Sequence, residues 1–60
     1  MPFITVGMWE GRTPEQKKDI VKDITATFLK IGIPANQIHI VLKDNKKENW
    51  GINGMLASEQ

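Results

Sequence analysis

The 60-residue sequence has no cysteine, no tyrosine and a single histidine. Without cysteine there is no disulfide, no thiolate metal ligand and no thiol nucleophile. His39 alone does not make a zinc site. A dominant charge sign is missing too: the formal net charge is +1 and the two signs are interspersed. No basic stripe points to nucleic acid. No apolar run approaches the ~20 residues that span a bilayer, so no membrane partner is expected. Glu10 and Arg12 interrupt the apolar start, which excludes a signal-peptide pattern. These absences leave a soluble cytoplasmic protein as the expectation.

A chain of this length makes one small domain, residues 1–60. Such a domain buries only ~60% of the surface its unfolded chain exposes. It needs a staple: disulfides, a metal or partner subunits. The composition removes the first two, so oligomerisation is the expected staple.

Residues 3–9 are rich in β-branched and aromatic types and read as a strand. Alternation puts Ile4, Val6 and Met8 on one face and Phe3, Thr5 and Trp9 on the other. After a turn at Glu10-Gly11-Arg12 comes a strong helix start. Thr13 is the N-cap, Pro14 takes the first helical position and Gln16 completes a capping box. The spacing predicts a helix over about 14–31, with Lys17, Ile20, Val21, Ile24, Phe28 and Ile31 on one stripe. Gly32 is the expected stop, and Pro34 bars continuation. Residues 38–43 read as a second strand, 44–49 as a polar loop, and 50–55 as a hairpin centred on Asn53-Gly54. The last residues, 58–60, read as a loose or partner-bound tail.

The fold class is therefore α+β. It is a β-α-β unit with parallel strands joined by a right-handed crossover, then a short C-terminal hairpin. The helix covers one face of the two-stranded sheet. The other face, carrying Phe3, Trp9, His39 and Val41, has nothing in this chain to cover it unless the hairpin folds back. Partner subunits are the expected cover.

The usual catalytic constellations are missing: no Ser-His-Asp context, no phosphate loop, no metal-ligand cluster. Asp19 and Asp23 lie outside the helix stripe and read as a solvated face. What remains is Pro2. Initiator methionine is commonly removed before a small residue, and its loss leaves a free secondary amine. An α-amino group titrates near ~8 in model peptides. Apolar burial and nearby cations favour its neutral form, which suits a base working near neutral pH. Proline near an N-terminus is also common and by itself means little.

Pro2 has company. The opening Pro2-Phe3-Ile4, then Glu10-Gly11-Arg12-Thr13, then Glu15-Gln16-Lys17 match one family in order and spacing. So does Trp50-Gly51-Ile52-Asn53-Gly54 followed by Leu56-Ala57-Ser58. Across nearly its whole length the chain resembles the 4-oxalocrotonate tautomerase family. The resemblance implies a hexamer built as a trimer of dimers, with sites shared between subunits and neither metal nor organic cofactor. It implies that Pro2 shuttles a proton between enol or dienol and keto forms of an unsaturated 2-oxo acid.

The resemblance also implies the site residues. Arg12 matches the arginine before the helix that grips a substrate carboxylate by paired hydrogen bonds. Trp50 matches an aromatic wall of the pocket, and Trp9 an apolar lining position that a larger side chain narrows. His39 falls where the best-known members carry a second arginine, which turns the expectation from a dicarboxylate towards a monoacid. Asn53 replaces the first glycine of a Gly-Gly pair and tolerates the left-handed turn.

Two further readings fit the same residues. One is water addition to an unsaturated acid, as in dehalogenase relatives, although no carboxylate stands out to activate the water. The other is a non-catalytic assembly module with Pro2 blocked and His39 merely structural. A fourth possibility is a mixed assembly, in which a second subunit supplies the missing arginine.

Overall fold

The computed structural model describes residues 2–60. The expected removal of Met1 concerns a residue outside that range. The chain runs β1 (Phe3–Trp9), α1 (Pro14–Leu29), β2 (His39–Asn45), then a hairpin of β3 (Gly51–Ile52) and β4 (Met55–Leu56). Single 3₁₀ turns occupy Ala35–Gln37, Lys47–Asn49 and Ala57–Glu59. Strands β1 and β2 pair in parallel, from Phe3 opposite His39 to Trp9 opposite Asn45. The hairpin strands pair antiparallel. The expected β-α-β unit with parallel strands and a C-terminal hairpin is what forms.

The helix begins as its sequence dictates. Thr13 accepts a hydrogen bond from the Gln16 amide at 3.1 Å, and Gln16 Oε1 accepts one from the Thr13 amide at 2.9 Å. This reciprocal box satisfies two of the N–H groups that a helix start leaves unpaired. At the other end Gly32 sits at φ +91°. The Ile33 amide reaches Phe28 O at 3.2 Å and the Gly32 amide reaches Leu29 O at 3.0 Å. These are the two bonds of a Schellman stop, with Gly32 as the left-handed residue. Regular α-helix ends at Leu29, short of Ile31, because the last turn tightens into this motif.

Strand β2 runs longer than its sequence suggests. It starts at His39 and continues through Asp44 and Asn45, which read as loop. Asn45 Nδ2 donates to Met8 O at 3.2 Å and to Lys43 O at 3.0 Å, so a polar side chain clamps the strand ends together. The tail also departs from expectation. Ala57 is buried, and Gln60 Nε2 donates to Ile52 O at 3.1 Å, so the last residues fold onto the hairpin.

Ile4, Val6, Met8, Ile40 and Leu42 form the half-buried sheet face, matched by Lys17, Ile20, Ile24, Thr25 and Phe28 of the helix. Val21 and Ile31, expected on that stripe, are exposed, Ile31 at 72%. Two strands ~5 Å apart are narrower than a helix ~10 Å across, so the stripe's margins overhang the sheet. Lys17 Nζ reaches Asp44 Oδ2 at 2.6 Å and ties the helix start to the end of β2. On the opposite sheet face Phe3 is 68% exposed, and His39 and Val41 are exposed beside it. Trp9 is the exception on this face. It is half-buried, because the segment leading into the hairpin folds over that end of the sheet alone.

Candidate active site

The five candidate residues fall into two groups at opposite ends of β1. At the N-terminal end Pro2 is half-buried, and its carbonyl accepts a hydrogen bond from the His39 amide at 3.0 Å. This bond extends the parallel ladder by one step and fixes Pro2 beside the start of β2. The His39 side chain lies on the exposed sheet face, opposite Phe3 in register.

At the other end Trp9 closes the strand. The Glu10 amide bonds Asn45 O at 2.9 Å, and Gly11 turns the chain at φ +111°. That turn delivers Arg12 directly before the helix cap. Arg12 is exposed and takes part in no ion pair among the described residues. Trp50 packs against Trp9 with ring centroids 5.6 Å apart and planes at 70°, an edge-to-face pair. Its carbonyl accepts from the Ala57 amide at 2.7 Å, which fastens the hairpin beneath it. Asn53 at φ +57° and Gly54 at φ +78° make the left-handed two-residue turn that Asn-Gly favours.

Seven residue steps separate Pro2 from Trp9, about 23 Å at strand spacing. Within one chain, then, Pro2 and His39 meet at one pole, while Trp9 and Trp50 meet at the other beside Arg12. Pro2 and Arg12 therefore stand beyond opposite ends of β1. A depression of about 450 Å³ on the helix, lined by Pro14, Lys17, Lys18, Val21 and Lys22, touches none of the five.

A model of the family described as Tautomerase enzyme matches residues 2–60. The chain belongs to the tautomerase family. It is 40% identical over 60 residues to a 2-hydroxymuconate tautomerase of Comamonas testosteroni, covering 98% of this chain and 95% of that protein. Among solved structures it is similar to a 4-oxalocrotonate tautomerase isozyme of Methylibium petroleiphilum. That match has a TM-score of 0.88 and 36% identity, over 95% of this chain and 94% of that one. A heterohexamer 4-oxalocrotonate tautomerase from Chloroflexus aurantiacus shares the fold, with a TM-score of 0.88 and 22% identity over 98% of this chain and 97% of that one.

One residue near the aromatic pair has no signal in the sequence. Lys47 reads as part of a polar loop, yet its ammonium lies 4.8 Å from the Trp9 ring centroid. Its carbonyl accepts the Trp50 amide at 3.2 Å, so Lys47 and Trp50 are held together through the main chain. Only folding brings Lys47 over a side chain of β1.

Proposed function

We propose that this tautomerase is a soluble cytoplasmic enzyme that interconverts enol or dienol and keto forms of unsaturated 2-oxo acids without a cofactor. Pro2, freed by removal of Met1, is the general base and acid. It takes the enol proton and returns a proton to carbon. Arg12 grips the substrate carboxylate with two parallel hydrogen bonds and draws electron density towards that end. Trp50 and Trp9 wall the pocket and exclude water, which strengthens each charged contact inside it. His39 lines the pole beside Pro2, where it brings hydrogen-bonding capacity without an arginine's permanent charge.

The observation that carries this reading is the separation of Pro2 from Arg12 along β1 in a chain that matches its family over residues 2–60. The two groups act on one small substrate only when one subunit's Pro2 meets another subunit's aromatic pole. Since every chain has both poles, copies of this chain suffice, and a homohexamer built as a trimer of dimers is the proposed assembly. The exposed Phe3 and Val41 face supplies an apolar surface for it.

The test combines intact mass with the ketonisation of 2-hydroxymuconate followed by absorbance. The expected result is a mass lacking Met1, and turnover that falls about 10²–10⁴-fold in Pro2→Ala while the oligomer persists. A retained methionine without turnover supports the non-catalytic assembly module instead. Full activity in Pro2→Ala removes the amine from the mechanism.

A further inference from the structure

Arg12 hangs between two anchors. Behind it, the Glu10 amide donates to Asn45 O at 2.9 Å and is held to the end of β2. Ahead of it, Thr13 is held to the helix by its reciprocal bonds with Gln16. Between the anchors lie Gly11 and Arg12, whose amides donate to no main-chain carbonyl among the described residues. Gly11, at φ +111°, is the residue type with the most backbone freedom. The two anchors differ in origin. The Thr13 anchor is made by adjacent residues. The Glu10 anchor is the end of a sheet of two strands, where β1 has one neighbour. Such an end frays unless something holds it. Asn45 does so. It stands opposite Trp9 in register, its carbonyl takes the Glu10 amide, and its Nδ2 donates to Met8 O at 3.2 Å and to Lys43 O at 3.0 Å. One half-buried side chain thus grips both strands where they end together. Next to it, Asp44 Oδ2 accepts from Lys17 Nζ at 2.6 Å, which ties the same strand end to the start of α1. The contacts form a ring through β1, Asn45, Asp44, Lys17 and the helix start. Gly11-Arg12 is its unbonded link.

We propose that Asn45 is a positioning residue for Arg12, setting the span across which the Gly11-Arg12 link carries the guanidinium. With both feet of the link fixed, Arg12 meets a substrate carboxylate from a constrained backbone. A donor already constrained loses less freedom on binding. The side-chain amide suits this task because its NH₂ has two hydrogens, one for each strand's carbonyl. Asn45 touches no substrate and acts through the arginine. This deepens the proposed function and rests on Arg12 being the carboxylate clamp.

The test makes two measurements on the full chain carrying Asn45→Leu, which removes the donors and keeps a side chain of similar size. The first is ¹⁵N relaxation. The order parameter of the Arg12 amide is expected to fall from about 0.85 to below about 0.6, while that of Ile24 in mid-helix stays unchanged. The second is kinetic. KM for 2-hydroxymuconate is expected to rise about fivefold, the penalty of fixing one freed residue again on binding. Both kcat and the KM of the uncharged dimethyl ester should stay within about twofold. In an Arg12→Ala background Asn45→Leu should add nothing to KM, because the residue it positions is gone. Should Asn45→Leu fail to fold, Asp44→Asn opens the ring at its other link and is expected to give the same pattern, with KM raised about twofold. An unchanged Arg12 order parameter overturns the proposal. So does a rise in KM that is equal for acid and ester, or one that persists without Arg12, since Asn45 then works through Trp9 or the fold at large. Unchanged KM for the acid in Arg12→Ala sinks the clamp of the proposed function instead, and the relaxation measurement still judges Asn45.

Discussion

In the proposed enzyme Arg12 and His39 stand at opposite ends of the substrate. Arg12 leaves the chain in the turn between β1 and the helix cap, exposed and free of ion pairs among the described residues. A guanidinium in that state has its full fork of donors available for a carboxylate. Arg12→Ala should raise KM for an acid at least tenfold, the loss of a charge-assisted hydrogen bond, and leave an uncharged enol unaffected. His39 sits beside Pro2, where its main chain is fixed by the Pro2 carbonyl and its side chain is exposed. In the proposed enzyme it offers an imidazole where a dicarboxylate needs a second cation. His39→Arg should therefore raise kcat/KM for 2-hydroxymuconate about tenfold relative to a monocarboxylate enol. An unchanged ratio between the two substrates would show that position 39 does not face the substrate.

The elements hold their shape by local devices that differ in strength. The Thr13–Gln16 box and the Gly32 stop define the two ends of α1. Thr13→Ala should cost about 1 kcal/mol, the usual value of an N-cap. At Gly32 a Cβ would meet no heavy atom within 4 Å, so the cost of Gly32→Ala is conformational and comes from φ +91°. It should match or exceed that of the cap, about 1 kcal/mol or more. Denaturant titration at one fixed protein concentration reads both. The Lys17–Asp44 pair is weaker despite its length of 2.6 Å, because both side chains are more than a third exposed. Asp44→Asn should cost less than about 1 kcal/mol.

One chain is a poor globule at the scale of the whole molecule. It exposes 4707 Å². A compact monomer of 6.8 kDa exposes about 4,000 Å². Its radius of gyration is 14.4 Å, whereas a compact 60-residue domain has about 10 Å. Ala57, at 7% exposure, is the only buried apolar residue among those described. In the proposed assembly, copies of the chain cover the bare sheet face of a two-layer unit with so little interior. Phe3→Asp places a charge on that face, at the N-terminal end of β1, and should dissociate the proposed assembly. Sedimentation velocity should then show smaller species, with turnover lost in parallel because the two poles of the site no longer meet. A monomeric variant with full turnover would mean that the site is complete within one chain.

The sequence by itself determined the local features. Strand alternation, the Thr13 cap, the Gly32 stop and the Asn53-Gly54 turn depend on a few adjacent residues, so they are legible without coordinates. The parallel order of β1 and β2 also followed, because a crossover helix has one favoured hand. Tertiary structure decided what depends on distant residues. The extension of β2 through Asn45 needed the Met8 carbonyl as a partner, 37 positions away. The exposure of Val21 and Ile31 needed the width of a two-stranded sheet. Lys47 over Trp9 needed the hairpin segment to fold back onto β1. The division of the candidate residues between two poles has the same origin. A strand is long and straight, so residues at its two ends are held apart by the backbone that joins them.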